Sequence, residues 1–343
     1  MKQAAKEAYD YQTGQLVVVG TSAGGLDALI ALIQQLPVDF PAPVLVVMHI
    51  SSDATGDVLL NALNDYGKLT CIHAVHGEPV KAGCVYLAPS DHHLLVEKNG
   101  RLHVTKGAQE NRNRPGIDPL FRSAAASFGN RLTGIILTGY LDDGTAGMIA
   151  IQRCGGTCMV QDPGEAQYPD MPKNVLNQIQ ADYCVPIAEM GGILAILMAR
   201  TIGKQHAIPK DILTEAEIAE RVLSDLAAVN SLGEQVPFNC PGCGGVLWKM
   251  DKGPLVRYRC HTGHSYTSAS LLAAQNEKIE ETMWVALRMF EERRNLLTTV
   301  AREKSGATAR SAAERAELSQ VHIDRIRAIL LADDKATKSD LPI

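Results

Sequence analysis

The sequence has no surplus of basic charge, no long apolar run and no apolar leader at its N-terminus. Lys and Arg total 33 against 38 Asp and Glu, a net charge of −5. Residues 1–200 carry 14 basic and 19 acidic side chains, and residues 201–343 carry 19 of each. Neither part offers the basic surface that nonspecific nucleic-acid binding needs, so a nucleic-acid partner is not expected. The longest strongly apolar window, Met190–Ala199, falls well short of the ~20 residues of a membrane span, and no membrane insertion is expected. The first ten residues mix Lys2, Glu7 and Asp10 with no apolar stretch, which excludes a secretory signal and points to the cytoplasm. There the eight Cys should be mostly reduced, and clustered ones read as metal ligands or nucleophiles before disulfides. No internal repeat is visible. What remains is an ordinary globular composition, 46% hydrophobic and 21% charged over 343 residues, enough for about two domains.

Residues 15–202 read as alternating strands and helices. Gln15–Gly20, Pro43–Ile50 and Thr133–Thr138 are apolar, β-branched runs suited to strands buried on both faces. Leu69–His76, Gly83–Leu87 and Thr157–Gln161 are further strands, and Leu94–Val96 and Leu102–Thr105 flank Asn99-Gly100 as a hairpin. Helical spacing over Leu26–Gln35, 56–66, Pro119–Phe128 and Gly147–Arg153 separates them. The order implies an α/β fold, a doubly wound, mostly parallel sheet with helices on both faces. Residues 1–14 read as an N-terminal tail and 203–236 as a helical linker, with one amphipathic helix over 209–230. A Cys/His unit of zinc-ribbon type follows at 237–267, then a helical pair at 268–332 and a tail at 333–343. In that pair Leu272, Ile279, Met283, Leu287 and Phe290 line one face of the first helix, and Leu318, Val321, Ile326 and Ile329 give the second a similar stripe. Core packing between the two helices is the plainer reading of these stripes; a partner-docking face is the other.

Gly20-Thr21-Ser22-Ala23-Gly24-Gly25 joins the first strand to the first helix. A dinucleotide site would want Gly at position 22; the pattern here is G-x-S-x-G, a tight turn that exposes a serine hydroxyl at the carboxyl edge of a sheet. The helix N-terminus behind it supplies free N–H groups, with that of Ala23 the first oxyanion donor. The alternative is an anion-binding loop without chemistry. A nucleophilic serine needs a base and the base an orienting group. His49 ends the second strand, and Asp142 and Asp143 follow the third. Singly, His49 reads as a core histidine and the Asp pair as turn chemistry. Together they put a hydroxyl, an imidazole and a carboxylate at one sheet edge, where open α/β sheets bind ligands. The chain order Ser, His, Asp differs from that of the α/β-hydrolases, chymotrypsin and subtilisin.

These motifs resemble the catalytic domain of the CheB-type protein-glutamate methylesterases of bacterial chemotaxis. The resemblance covers roughly half of the chain and is carried by GTSAGG (20–25), MHI (48–50), KAGCVYLAPSDHHL (81–94), NRPGIDPLFRSAA (113–125), ILTGYLDDGTAG (136–147) and VQDPGEAQYPDMPKNV (160–175). It implies Ser22 as nucleophile, His49 as base, and Asp143 rather than Asp142 as the orienting carboxylate. Ala23 and Tyr140 would supply oxyanion N–H groups. The implied reaction removes the methyl ester from glutamates of a chemoreceptor or related sensory protein, or the amide of a glutamine, through an acyl-enzyme, with no cofactor for catalysis. Asp91, His92, Arg114, Asp118 and Asp162 lie in matched motifs without assigned roles, and fold-supporting hydrogen bonds are their plainer reading. Two departures stand out. Tyr140 and Leu141 replace Met and Gly in the family's L-T-G-M-G-x-D-G loop, and Leu141 would be strained if that position needs a positive φ. Only about 14 residues precede the first strand, too few for the receiver domain of the familiar enzymes, so control by phosphorylation in cis is not expected.

Cys240 and Cys243, then Cys260 and His264 after sixteen intervening residues, form C-x₂-C and C-x₃-H pairs suited to tetrahedral, structural zinc. His261 is the alternative fourth ligand, and reduced thiols in a small β unit are the alternative to a metal. The other five Cys are scattered and read as core residues. This region is foreign to the usual methylesterase; a receptor, a methyltransferase, a separate response regulator or a second copy of the chain would be its partner. Two further readings compete. A patatin-type lipid acyl hydrolase also uses GTSxGG and an Asp-Gly pair, but needs an upstream Gly-rich loop and leaves His49 unexplained. A catalytically silent methylesterase-like scaffold would use the C-terminal region for binding alone.

Overall fold

Strand β1 (Leu16–Thr21) is buried throughout and sits at the centre of a seven-stranded sheet. The computed structural model of the protein describes residues 9–332 except 52, 205–206, 222–225 and 252. The expected tail at 333–343, and residues 1–8 of the one at the other end, lie outside the described residues.

From β1 the chain runs through α1 (Gly25–Ile33), β2 (Val44–Met48), α2 (Asp57–Tyr66), β3 (Thr70–His73) and β4 (Cys84–Leu87). A hairpin, β5 (His93–Val96) and β6 (Leu102–Thr105), leads to α3 (Ile117–Phe128). Then come β7 (Leu132–Ile136), α4 (Thr145–Arg153), β8 (Thr157–Gln161), α5 (Asp170–Gln178), β9 (Tyr183–Val185) and α6 (Ile187–Met198). The strand order is β3-β4-β2-β1-β7-β8-β9 and every pairing is parallel. The doubly wound sheet expected from the sequence is therefore present, and it is wholly parallel.

Alternation along β1 shows how the two faces are used. Leu16 and Val18 join the cluster under α3, α4 and α5, while Val17 and Val19 join the one under α1, α2 and α6. All four are fully buried, each contributing about 1.5–3 kcal/mol of hydrophobic stabilisation. Because β2 and β7 flank β1 and are reached over opposite faces, the chain reverses direction across the sheet at β1. The crevice at its carboxyl end is where such sheets place their ligands.

Three elements have no counterpart in the sequence reading. Helix α6 contains the Met190–Ala199 run; Met190, Leu194 and Leu197 pack on the sheet at helical spacing. Strand β9 is a three-residue edge strand, too short for periodicity to register. Helix α5 is amphipathic but buries little beyond Met171, Pro172 and Val175. Of the helix expected over 209–230, Lys210–Arg221 (α7) and Leu226–Leu232 (α8) are helical, and residues between them lie outside the described set.

After α8, β10 (Glu234–Asn239), β11 (Val246–Met250), β12 (Arg257–Cys260) and β13 (Ser265–Thr267) form an antiparallel meander. Two long helices follow, α9 (Ser268–Glu303) and α10 (Gly306–Leu331). Residues up to Ser270 form one compact unit and those from Leu271 a second. In the second unit the expected stripe on α10 is wrong: Leu318, Val321 and Ile329 are exposed, and Ala312, Ser319 and Ile323 are buried instead. On α9, Leu287 is buried and Phe290 stacks on His322 of α10, whereas Leu272 and Ile279 are exposed.

Candidate active site

Ser22 follows β1 at the central crevice. Its N–H donates to the Thr138 carbonyl (3.0 Å), as does the Thr21 hydroxyl (3.0 Å). The end of β1 is thereby pinned to the loop after β7. Gly24 takes φ 70° at the entrance to α1, a left-handed turn that an L side chain would strain. His49 follows β2, and its N–H donates to the Thr21 carbonyl (3.2 Å). Asp143 lies in the loop between β7 and α4.

The three side chains meet. His49 Nδ1 is 3.2 Å from Ser22 Oγ, and His49 Nε2 is 2.8 Å from Asp143 Oδ2. The carboxylate accepts at Nε2, which puts the ring proton there and leaves Nδ1 free to accept from the hydroxyl. His49 is 14% exposed and Asp143 only 2%, so the base is reachable and its orienting group is not.

Asp143 is held from several sides. Oδ2 also accepts from the Ile117 N–H (2.8 Å), and Oδ1 accepts from Asn111 Nδ2 (3.0 Å), the Gly144 N–H (3.1 Å) and the Asp118 N–H (3.3 Å). Burial works to raise its pKa, but His49 and these donors outweigh it and hold the carboxyl below the usual range. Asp118 goes the other way, pushed up to about 8 by burial and by the charge of Asp143. Asp142 meets no imidazole and is pushed up to about 6, again by burial first. Of the paired aspartates it is thus Asp143 that faces His49.

Among the described residues neither the Ala23 nor the Tyr140 N–H has a hydrogen-bond partner. Leu141 has φ 61°, the left-handed conformation foreseen as a strain, and its carbonyl accepts from Asn174 Nδ2 (2.8 Å). Gly139 approaches Ser22 so closely that a Cβ built on it would stand 2.8 Å from the serine Cβ.

The other residues of the shared motifs divide. Asp118 belongs to the site; its Oδ1 accepts from the Gly147 N–H (2.6 Å) and its Oδ2 from Asn111 Nδ2 (2.9 Å). Asp91 pairs with Arg114 (2.6 Å) and Lys106 (2.6 Å), and these hydrogen bonds lower its pKa to about 2. His92 Nδ1 lies 2.9 Å from the Ser90 carbonyl, and Asp162 Oδ1 accepts from the Gly164 N–H (2.8 Å), both local turn bonds. Sequence reasoning missed Asn111, whose amide bridges both buried aspartates.

The chain belongs to the CheB methylesterase family. That family's model matches residues 17–194, slightly more than half of the chain, and the matched segment contains Ser22, His49 and Asp143. A Myxococcus xanthus protein named protein-glutamate methylesterase/protein-glutamine glutaminase 5 is 38% identical over 185 residues, 53% of this chain and 52% of that protein. The chain thus spans about half the length of this relative. A Leptospira interrogans relative is 34% identical over 176 residues, 51% of this chain and 91% of its own. The crystal structure of the Thermotoga maritima CheB methylesterase catalytic domain superposes with a TM-score of 0.52 at 36% identity, covering 54% of this chain and 99% of that one. Family membership removes the ground for the patatin-type alternative, which had no use for His49.

Outside the family segment, Cys240, Cys243, Cys260 and His264 come together at the two loops of the meander. Their four ligand atoms lie within 4.8 Å of one another. The first pair lies between β10 and β11; of the second, Cys260 ends β12 and His264 immediately precedes β13.

Proposed function

We propose that the chain is a serine hydrolase that removes the methyl ester from glutamate side chains of a chemoreceptor or related sensory protein, and that the same site deamidates glutamine. The observation that carries this reading is the unbroken line from Ser22 Oγ through both ring nitrogens of His49 to Asp143, at the carboxyl edge of a parallel sheet.

The chemistry follows from the geometry. His49 Nδ1 takes the proton of Ser22 as the hydroxyl attacks the ester carbonyl. The imidazolium so formed keeps its Nε2–H on Asp143, which is ionised and buried and therefore stabilises it strongly. The N–H groups of Ala23 and Tyr140 face the tetrahedral oxyanion. His49 returns the proton to methanol as it leaves. Water, activated by the same imidazole, then releases the free carboxylate from Ser22. No metal or organic cofactor is needed for any of these steps.

In this reading the protein works in the cytoplasm; among the described residues no helix is long and apolar enough to cross a membrane. A methyltransferase or a separate response regulator is a partner that the region beyond residue 202 would serve. The test is methanol release from a synthetic helical peptide carrying a glutamate γ-methyl ester. Wild-type chain should release methanol and Ser22→Ala should lose about 10⁴-fold or more. A wild-type chain without activity would leave the silent-scaffold reading in its place.

A further inference from the structure

We propose that Cys240, Cys243, Cys260 and His264 bind one zinc ion, and that the loaded site holds the active-site carboxylate in place through β13 and Asn111. The metal half stands on the cluster alone; the coupling half rests on the hydrolase reading above.

Two of the distances within the cluster match the edges of a zinc tetrahedron, and all four ligand atoms lie within 4.8 Å of one another. Sulfur ligands at about 2.3 Å from zinc lie roughly 3.8 Å from one another. Cys243 Sγ and Cys260 Sγ are 3.7 Å apart, and Cys260 Sγ is 3.6 Å from His264 Nδ1. Three thiols and an imidazole are soft and borderline donors, which select zinc over the hard cations. Four protein ligands leave no open position, so the ion would be structural.

What the ion would hold in place is visible at the flanks of its ligands. Arg259, next to Cys260, is buried and donates to Glu110 Oε1 (2.8 Å) and to the Gly263 carbonyl (3.1 Å). Glu110 also binds Arg122 of α3 (2.5 Å). Ser265, next to His264, accepts from the Asn111 N–H (2.8 Å). Both partners of the metal loops are therefore consecutive residues of the segment leading to α3.

Asn111 carries the connection onward. Its Oδ1 accepts from the Thr267 N–H (3.1 Å) and from the Ser270 hydroxyl (3.0 Å). With the oxygen so engaged, Nδ2 points the other way and donates to Asp118 Oδ2 and to Asp143 Oδ1. The amide cannot flip without facing donors with donors and carboxylates with an acceptor. Asn111 itself sits at φ 49°, a left-handed conformation that asparagine tolerates. Every link lies within the first compact unit. Asn111 is thus a positioning residue, acting on His49 only through Asp143.

The test uses the full chain purified without chelator or a histidine tag. Elemental analysis should find about one zinc per chain, lost in Cys243→Ser. Methanol release from the γ-methyl-ester peptide should then fall about 10- to 100-fold in kcat with KM nearly unchanged, as expected for loss of outer support to a catalytic group. Asn111→Ala should lose a similar factor in kcat while keeping its zinc. Chelation of Asn111→Ala should add no further loss, because the relay is already cut. If Cys243→Ser does not fold, chelation and zinc re-addition in the wild-type chain make the same measurement. If Asn111→Ala does not fold, Ser270→Ala removes a single bond to the amide and should cost about three- to tenfold. A chain that binds no zinc overturns the proposal and leaves the hydrolase reading standing; a kcat undiminished after zinc removal overturns the coupling alone. Losses that multiply between Asn111→Ala and chelation overturn the coupling. A zinc-loaded wild-type chain that releases no methanol overturns the hydrolase reading, and the coupling with it, but not the metal site.

Discussion

Gly139→Ala separates the packing of the nucleophile from the stability of the fold. Gly139 lies in the loop after β7, its N–H donating to the Tyr168 carbonyl (2.9 Å) and its carbonyl accepting from the Met171 N–H (3.0 Å). A methyl group here would stand 2.1 Å from Met171 Sδ and 2.8 Å from Ser22 Cβ. Ordinary carbon contacts are about 3.5–4.0 Å, so the methionine must retreat by roughly 1.5 Å and the serine by nearly 1 Å. Methionine is flexible and can move at modest cost. Ser22 cannot do so freely, because its N–H is held by the Thr138 carbonyl across the same contact. Overpacking of this kind costs about 1–3 kcal/mol, read as a lower urea midpoint. A displacement near 1 Å at a reacting atom costs on the order of 10² in rate. Adding Met171→Ala removes the sulfur contact but opens a cavity in the core, and it should restore little of the methanol release, since the serine contact remains. Wild-type kcat in Gly139→Ala, or recovery of both quantities together in the double variant, would refute the reasoning.

Leu141→Gly removes a left-handed penalty of about 1–2 kcal/mol and adds about 0.5–1 kcal/mol of unfolded-state entropy, so urea unfolding should show a gain of up to about 1.5 kcal/mol. A loss of more than 1 kcal/mol would contradict it. The pH dependence of stability should carry two opposite contributions. Asp118, raised by burial from 3.8 to about 8, keeps a proton that the unfolded chain releases; its contribution is lost as pH rises across that interval. Asp143, lowered, contributes stability that is present above the ordinary aspartate value and lost as pH falls below it. Urea midpoints of Asp118→Asn should therefore decline less between 3.8 and 8 than those of wild type, and an unchanged slope would contradict the assignment.

The parts of the site that could be read from the sequence are those carried by strand ends. Ser22, His49 and Asp143 follow buried runs that could only be central parallel strands, and parallel strands put their carboxyl ends on one edge. Asn111 had no such signal. Its role depends on a left-handed backbone and on Thr267 and Ser270, more than 150 residues away. Arg122 and Arg259 look like surface charges in a linear reading, yet each is about 1% exposed or less, because Glu110 and Glu215 meet them inside. Long-range ion pairs leave no periodicity. On α10 the buried residues are Ala312, Ser319 and Ile323, and two of these three are too small or too polar for an apolar stripe to mark.

The central claim, that Ser22 and His49 work as one unit, is tested most directly by a double-variant cycle on methanol release. Ser22→Ala and His49→Ala should each lose about 10⁴-fold or more, and the pair together should lose little beyond either alone. Losses that multiply, or a Ser22→Ala chain that still releases methanol at the wild-type rate, would contradict it.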